Sequence, residues 1–176
     1  MNHDSYTDAY IRGILSDVKT IAIVGASANE NRPSYFVLKY LIAKGYTVYP
    51  INPGLAGKTL LDRPVFARLS DMPEPIDMVD IFRASEAAPG VVDEALALTP
   101  LPKVIWMQLT VRHDEAAAKA EALGVKVVMN RCPKIEFGRL SGEIGWAGVN
   151  SRTLSSKRPV LAAGFQRRGL SGGDAS

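Results

Sequence analysis

The segment with the clearest chemistry follows the first apolar run of the chain, Thr20–Val24. A glycine comes directly after this run and a helix is predicted to begin soon afterwards, an arrangement typical of a phosphate-binding loop. Gly25 allows a tight turn, and the free amides of the helix N-terminus point at the anion. Ser27 and Ser34 add hydroxyl donors, and Arg32 adds a positive charge. We predict a phosphate site here; the alternative is a turn at Gly25 and a helix cap at Ser34.

Two other apolar runs also end in polar or charged residues. Asn52 and Pro53 follow the second run and form a rigid turn, with Lys58 nearby. A proline face can lie flat against an adenine ring, although a plain turn is the alternative. The third run ends in Phe82 and Arg83, and this arginine is predicted to face the same crevice as the phosphate loop. Its alternative role is a salt bridge with the next helix, for example with Glu86.

NAD is the obvious nucleotide for a loop of this kind, but the sequence argues against it. The dinucleotide fingerprint G-x-G-x-x-G requires further glycines, whereas Gly25 is followed by Ala26, Ser27 and Glu30. It also requires an acid at the end of the second strand to hold the ribose hydroxyls, and this chain has Asn52 there. A Walker A motif is missing as well.

Groups for covalent or acid–base catalysis are scarce. Cys132 is the single cysteine, and only His3 and His113 accompany it, which excludes a disulfide framework and a zinc cluster. Next to Arg131 this thiol could have a lowered pKa, but a buried thiol is the more common case. Asp80 is the one acid expected to approach the crevice. No Ser-His-Asp triad is evident, so the inventory favours binding over catalysis, with no catalytic or metal-binding residue predicted.

The residues above follow strands in a regular alternation with helices. The predicted helices are Ser5–Lys19, Ser34–Lys44, Glu86–Leu98 with a cap at Ser85, and Asp114–Leu123. The predicted strands are Thr20–Val24, Thr47–Ile51, Met78–Phe82, Val104–Met107 and Val125–Met129. These strands are β-branched and apolar on both faces, which is typical of parallel strands covered by helices. We therefore predict an α/β fold: a three-layer, doubly wound domain with a five-stranded, mainly parallel sheet in the order 3-2-1-4-5.

Length and charge limit the remaining possibilities. The 176 residues suffice for one domain, which we place at residues 1–149, followed by a basic Ser/Gly/Arg-rich tail at 150–176. The tail has a net charge of +4 and the whole chain +3, so the body has a net charge of about −1. A nucleic-acid groove is therefore not expected on the body. Neither a signal peptide nor a membrane-spanning run is visible, and we expect a cytoplasmic protein.

Several segments together resemble a known family, the stand-alone coenzyme A-binding proteins, which are similar to the N-terminal CoA-binding domain of the succinyl-CoA synthetase alpha subunit. The segments are TIAIVGAS at 20–27, RPS at 32–34, PINP at 50–53, VDIFR at 79–83, WMQ at 106–108 and RCPKIE at 131–136. The resemblance implies a Rossmann-like domain that binds CoA or an acyl-CoA. By that resemblance the phosphates would contact Gly25, Ala26, Ser27, Arg32 and Ser34. Asn52, Pro53 and Lys58 would flank the nucleotide, and Phe82 and Arg83 would pack near the adenine or pantetheine.

The resemblance does not imply ligase activity, because the synthetases use a phosphorylated histidine in a following domain and a partner subunit that binds ATP. The leading hypothesis is a non-catalytic CoA sensor, carrier or regulatory module. One alternative is a small NAD(P)-linked oxidoreductase, or an acyl-CoA enzyme that uses Cys132. Another is a protein-interaction module with a vestigial site, docking through Arg167 and Arg168. A homodimer through the first helix is possible, although its apolar residues could equally be core: Tyr6, Tyr10, Ile11 and Ile14.

Overall fold

A computed structural model describes residues 1–142 as an α/β structure with five α-helices and seven strands. The helices are α1 (Asp8–Asp17), α2 (Pro33–Ala43), α3 (Ala88–Leu96), α4 (Asp114–Ala122) and α5 (Pro133–Ser141). The strands are β1 (Thr20–Val24), β2 (Thr47–Ile51), β3 (Thr59–Leu60), β4 (Arg63–Pro64), β5 (Met78–Ile81), β6 (Val104–Met107) and β7 (Lys126–Val128). Short 3₁₀ turns cover Pro53–Leu55, Leu69–Asp71 and Ser85–Ala87.

The main sheet has five strands, all parallel, in the order β2-β1-β5-β6-β7. The parallel sheet is confirmed, but the predicted order 3-2-1-4-5 is wrong. Counting only the main strands, the observed order is 2-1-3-4-5, because β5 pairs with β1 rather than continuing beyond β2. The chain therefore reverses its winding between β1 and β5, which is where doubly wound folds of this order bind their ligands.

Two sets of contacts account for this strand order. The Asp77 carboxylate, just before β5, accepts hydrogen bonds from the backbone N–H groups of Lys19 and Thr20 at 2.7 and 3.2 Å, which fixes β5 beside β1. The outer edge of β2 is meanwhile occupied by Phe66. The Phe66 N–H donates to the Pro50 carbonyl at 3.1 Å, and its carbonyl accepts from the Asn52 N–H at 2.9 Å. The small β3–β4 hairpin, which the sequence did not predict, brings Phe66 to this edge.

The helices form two layers, one on each face of the sheet. Ile11 of α1 and Leu38 of α2 pack with Ile23 and Trp106 on one face, where α5 also lies. Val92 of α3 belongs to the second apolar cluster, on the opposite face with α4. Because successive strand residues face opposite sides, a strand buried on both sides must be apolar throughout. The three-layer architecture is therefore confirmed.

Four helices agree with the sequence prediction, apart from their ends. The third begins later than expected, because the residues after Ser85 form a 3₁₀ turn before α3. Gly45 and Gly124 follow α2 and α4 with φ of 91° and 81°, the left-handed conformation that ends helices. The helix α5 was not predicted. Its signals were Pro133 in the first turn and Gly142 at the end, the usual positions of these residues.

The N-terminal residues pack against the outer edge of β7. The Tyr10 hydroxyl donates to the Val127 carbonyl at 3.3 Å, and the Met129 N–H donates to the Tyr6 hydroxyl at 2.7 Å. Ile11 and Ile14 are buried in the core. The apolar side of α1 therefore packs within the chain, as the core interpretation expected, rather than forming a free dimer face.

Three sequence expectations concern absences or the tail. Within residues 1–142 no helix is long and apolar enough to cross a membrane. The same residues contain no group of three His, Cys, Asp or Glu side chains placed to hold a metal ion. The predicted tail at 150–176, with Arg167 and Arg168, lies outside the described residues.

Candidate functional site

The loop after β1 begins with a turn that only glycine can make. Gly25 has a φ of 91°, and its N–H donates to the Ile51 carbonyl at 3.0 Å. A Cβ at this position would lie 2.3 Å from the Phe82 carbonyl oxygen, far inside van der Waals contact. The Phe82 N–H in turn donates to the Val24 carbonyl at 2.8 Å. The ends of β1 and β5 are therefore in direct backbone contact at this glycine.

The loop continues through two side-chain turns to α2. The Asn29 N–H donates to the Ser27 hydroxyl at 3.1 Å, and the Asn31 N–H donates to the Asn29 side-chain oxygen at 2.9 Å. The Arg32 N–H donates to the Asn29 carbonyl at 3.0 Å. Serine and asparagine favour such local turns because their side chains replace a backbone partner. The loop is thus ordered by its own side chains.

The N-terminus of α2 has no side-chain cap among the residues that the structure describes. Arg32 occupies the capping position without a capping hydrogen bond, and Pro33 follows as the first helical residue. Most helices place a Ser, Thr, Asp or Asn oxygen here to accept from the free amides. Ser34, the second helical residue, is 4% exposed and is not the capping residue. Pro33 has no amide hydrogen, and the Tyr35 N–H donates to the Arg32 carbonyl at 3.0 Å, so the Ser34 N–H is the first-turn amide without a described acceptor. This amide and the helix dipole favour an anion at this position.

Two arginines stand beside this helix end. Arg83 lies over the glycine turn, since its Cδ is 3.0 Å from a Cβ placed on Gly25. Arg32 and Arg83 are both exposed, and neither has an ion pair with any of residues 1–142. The alternative of a salt bridge from Arg83 to Glu86 is therefore absent from the described structure. Both guanidinium groups are available to an anion held by the loop.

Asn52 joins the end of β2 to the same loop. Its Nδ2 donates to the Ala26 carbonyl at 2.7 Å, and its Oδ1 accepts from the Gly54 N–H at 2.8 Å. The side chain thus holds the loop, and its neighbour Pro53 is exposed at the same turn. Lys58 is exposed beyond the 3₁₀ turn and makes no side-chain contact with the loop.

A polar pair lies below the crevice in the sheet. The Gln108 Nε2 donates to both carboxylate oxygens of Asp80, at 3.0 and 3.1 Å. Asp80 is fully buried in register with Ile23 and Trp106, and burial raises its pKa to about 8. Gln108 is 5% exposed and comes directly after β6. It was not among the predicted site residues, although a polar residue directly after a buried strand was the signal that identified the others.

Cys132 does not have the properties of a reactive thiol. It is 7% exposed, and burial raises its pKa, with the charge of Asp80 adding to the effect. Backbone N–H groups of Lys134 and Ile135 act in the opposite direction without reversing it. The lowered pKa that Arg131 suggested is therefore wrong, and the buried-thiol alternative holds. Trp106 is also fully buried and does not line the crevice.

The fold and the crevice at the reversal of winding define a doubly wound, Rossmann-like α/β domain. Residues 19–138 match the family model described as the CoA binding domain. The chain belongs to this family. The resemblance to the CoA-binding domain of succinyl-CoA synthetase is thereby confirmed.

Three relatives illustrate the reach of the family. The chain is 36% identical over 127 residues to the Bacillus subtilis (strain 168) protein YneT, covering 72% of this chain and 91% of that protein. A solved structure of cell-free ID.343 from Thermus thermophilus is 38% identical with a TM-score of 0.72, covering 77% of this chain and 99% of that one. Acetate–CoA ligase [ADP-forming] I of Archaeoglobus fulgidus is 26% identical over 147 residues, or 79% of this chain. The match spans only 21% of that ligase.

Proposed function

We propose that this protein binds coenzyme A or an acyl-CoA at the loop after β1 and acts in the cytoplasm as a non-catalytic sensor, carrier or regulatory module. The diphosphate occupies the open N-terminus of α2, with Gly25, Ala26, Ser27 and Ser34 around it. Arg32 and Arg83 supply the positive charge. Pro53 and Phe82 flank the nucleotide, Asn52 holds the loop, and Lys58 reaches the ribose phosphate.

The observation that carries this proposal is the uncapped N-terminus of α2 beside two arginines without described partners. The Ser34 N–H has no described acceptor, and a bound phosphate would give one to this amide and a partner to each guanidinium group. The family description names CoA as the ligand class. CoA carries a diphosphate and a ribose phosphate, and both groups fit a cluster of positive charges. Because its ribose carries a phosphate, CoA does not need the acidic residue that binds the ribose of NAD.

A non-catalytic role is supported by the side chains around the crevice. Asp80 and Cys132 are both buried with raised pKa values, so neither is a ready base or nucleophile at neutral pH. The ligase relative has most of its length outside the shared region. We therefore assign binding and not acyl transfer to this chain.

The test is calorimetric titration of the purified protein with CoA, acetyl-CoA, NAD and NADP under identical conditions. Micromolar binding of CoA or acetyl-CoA, with no heat from NAD or NADP, is the expected result. Binding of NAD instead would overturn the ligand assignment and point to an oxidoreductase. If none of the four ligands binds, the binding function is refuted and a protein-interaction module is favoured.

A further inference from the structure

The buried pair of Asp80 and Gln108 has no part in the phosphate site, and its geometry is specific. A single amide nitrogen of Gln108 contacts both oxygens of Asp80, at 3.0 and 3.1 Å. The amide thus turns its NH₂ group toward Asp80, the orientation that the acid requires once it is ionised, because a carboxylate only accepts hydrogen bonds. The carbonyl oxygen of Gln108 then points away from the acid.

That carbonyl oxygen is open to a ligand. Within residues 1–142 no fully buried polar side-chain atom lacks a hydrogen-bond partner. No described residue donates to the Gln108 carbonyl oxygen, so this oxygen is not fully buried, although the residue is only 5% exposed. The residue follows the last residue of β6, at the same edge of the sheet as Gly25. Asp80 holds the nitrogen end of the amide in the core, and the oxygen end keeps some exposure in the residue that follows β6.

The position of Gln108 suits one part of the proposed ligand. Strands β1, β5 and β6 are neighbours, so Gln108 lies two strand spacings, about 10 Å, from the glycine turn. CoA has an arm that extends from the diphosphate and contains two amide groups, each with an N–H donor. An arm that crosses β5 from the phosphate loop meets the open oxygen of Gln108.

We propose that Asp80 is a positioning residue, which orients the Gln108 amide so that its carbonyl oxygen accepts an amide N–H from the arm of the coenzyme. This inference rests on the proposed function and adds a contact that recognises the arm rather than the phosphates. It predicts that the protein distinguishes CoA from adenosine 3′-phosphate 5′-diphosphate, the same nucleotide without the arm.

The experiment measures an arm ratio, defined as the dissociation constant of the armless nucleotide divided by that of CoA. Titrations are made at pH 9, above the pKa of Asp80, so that the carboxylate is ionised. Gln108→Met keeps the shape of the side chain but removes the acceptor. We expect the arm ratio to fall by about three- to tenfold, the range of one hydrogen bond, with unchanged affinity for the armless nucleotide.

Asp80→Val removes the group that orients the amide. We expect a lower arm ratio in the otherwise unchanged protein and no further reduction in the Gln108→Met background, because Asp80 acts only through Gln108. A purely structural role would instead lower affinity for both ligands in both backgrounds. The double variant replaces both polar partners by apolar groups, which a core tolerates, and it therefore provides a folded test if a single variant is unstable.

Three results would overturn the inference. Equal loss of both ligands in Gln108→Met would mean that the residue only supports the fold. An arm ratio near one in the wild-type protein would leave phosphate binding intact but exclude an arm contact. An effect of Asp80→Val of the same size in both backgrounds would show that Asp80 does not act through Gln108. Failure of the proposed function is distinct, since neither ligand would then bind.

Discussion

The burial of Asp80 should make the free energy of unfolding of this protein decrease as the pH rises from acidic to neutral. Asp80 is fully buried, and its pKa is raised to about 8 from an ordinary value near 3.8. Between these values the folded protein keeps a proton that the unfolded chain has released. The folded state is therefore favoured at low pH, and the contribution of this site is lost as pH rises toward 8.

The size of the effect follows from proton linkage. One proton more in the folded state changes the free energy of unfolding by about 1.4 kcal/mol per pH unit, so wild-type protein loses about 2.7 kcal/mol at this site between pH 5 and pH 7. Asp80→Asn has no proton to release. Its stability relative to wild type should therefore increase by the same amount over this interval, whatever the constant cost of the substitution.

Urea unfolding of both proteins at pH 5 and pH 7, at constant ionic strength, measures this difference. The control is Asp62→Asn, an exposed aspartate for which the difference from wild type should be equal at both pH values. A constant difference for Asp80→Asn would refute the reasoning, because it would show that the buried carboxyl is ionised in the folded protein across this range.

Three other predictions concern the crevice. Gly25→Ala should destabilise the fold more than Gly45→Ala, as measured by urea unfolding. Both glycines have a φ of 91°, but only a Cβ on Gly25 would meet a neighbour, the Phe82 carbonyl oxygen at 2.3 Å. Equal losses of stability would contradict this close contact. Arg32→Ala and Arg83→Ala should each weaken CoA binding by roughly 1.5–3 kcal/mol, the range for a charged hydrogen bond, whereas the exposed Arg12→Ala on α1 should leave calorimetric affinity unchanged. Unchanged affinity in both crevice variants would remove them from the site. Cys132 should react with iodoacetamide at pH 8 far more slowly than in urea-unfolded protein, because it is buried with a raised pKa, and equal rates would show an accessible thiolate.

The sequence allowed the five main strands, four of the helices and the glycine turn after β1 to be predicted because their signals are local. Thr20–Val24 followed by Gly25 marks a strand and its turn within six residues. The order of the strands could not be read in this way, since it depends on contacts between distant segments. Asp77 fixes β5 beside β1, and Phe66 closes the edge of β2 that the predicted order would have used.

The partners of individual side chains were hidden for the same reason. Asp80 was expected near the crevice, but its contact with Gln108 depends on the register of β5 against β6. Arg131 precedes Cys132 and suggested an activated thiol, whereas burial at the start of α5 determines the protonation of that thiol. Asn52 was expected to flank the nucleotide, and the sequence did not show that its amide also donates to the Ala26 carbonyl. Such outcomes depend on packing rather than on residue type.

The contacts of Tyr6 and Tyr10 with β7 have a consequence for how this sheet ends. An open edge strand offers a row of unpaired backbone groups on which a foreign strand can add, the usual first step toward aggregation. Here two phenol hydroxyls occupy the Val127 carbonyl and the Met129 N–H, while Phe66 occupies the opposite edge. A strand from another molecule would have to displace these groups before it could pair. Both edges of the sheet are therefore protected against the addition of a further strand, and at β7 the N-terminal residues provide this protection.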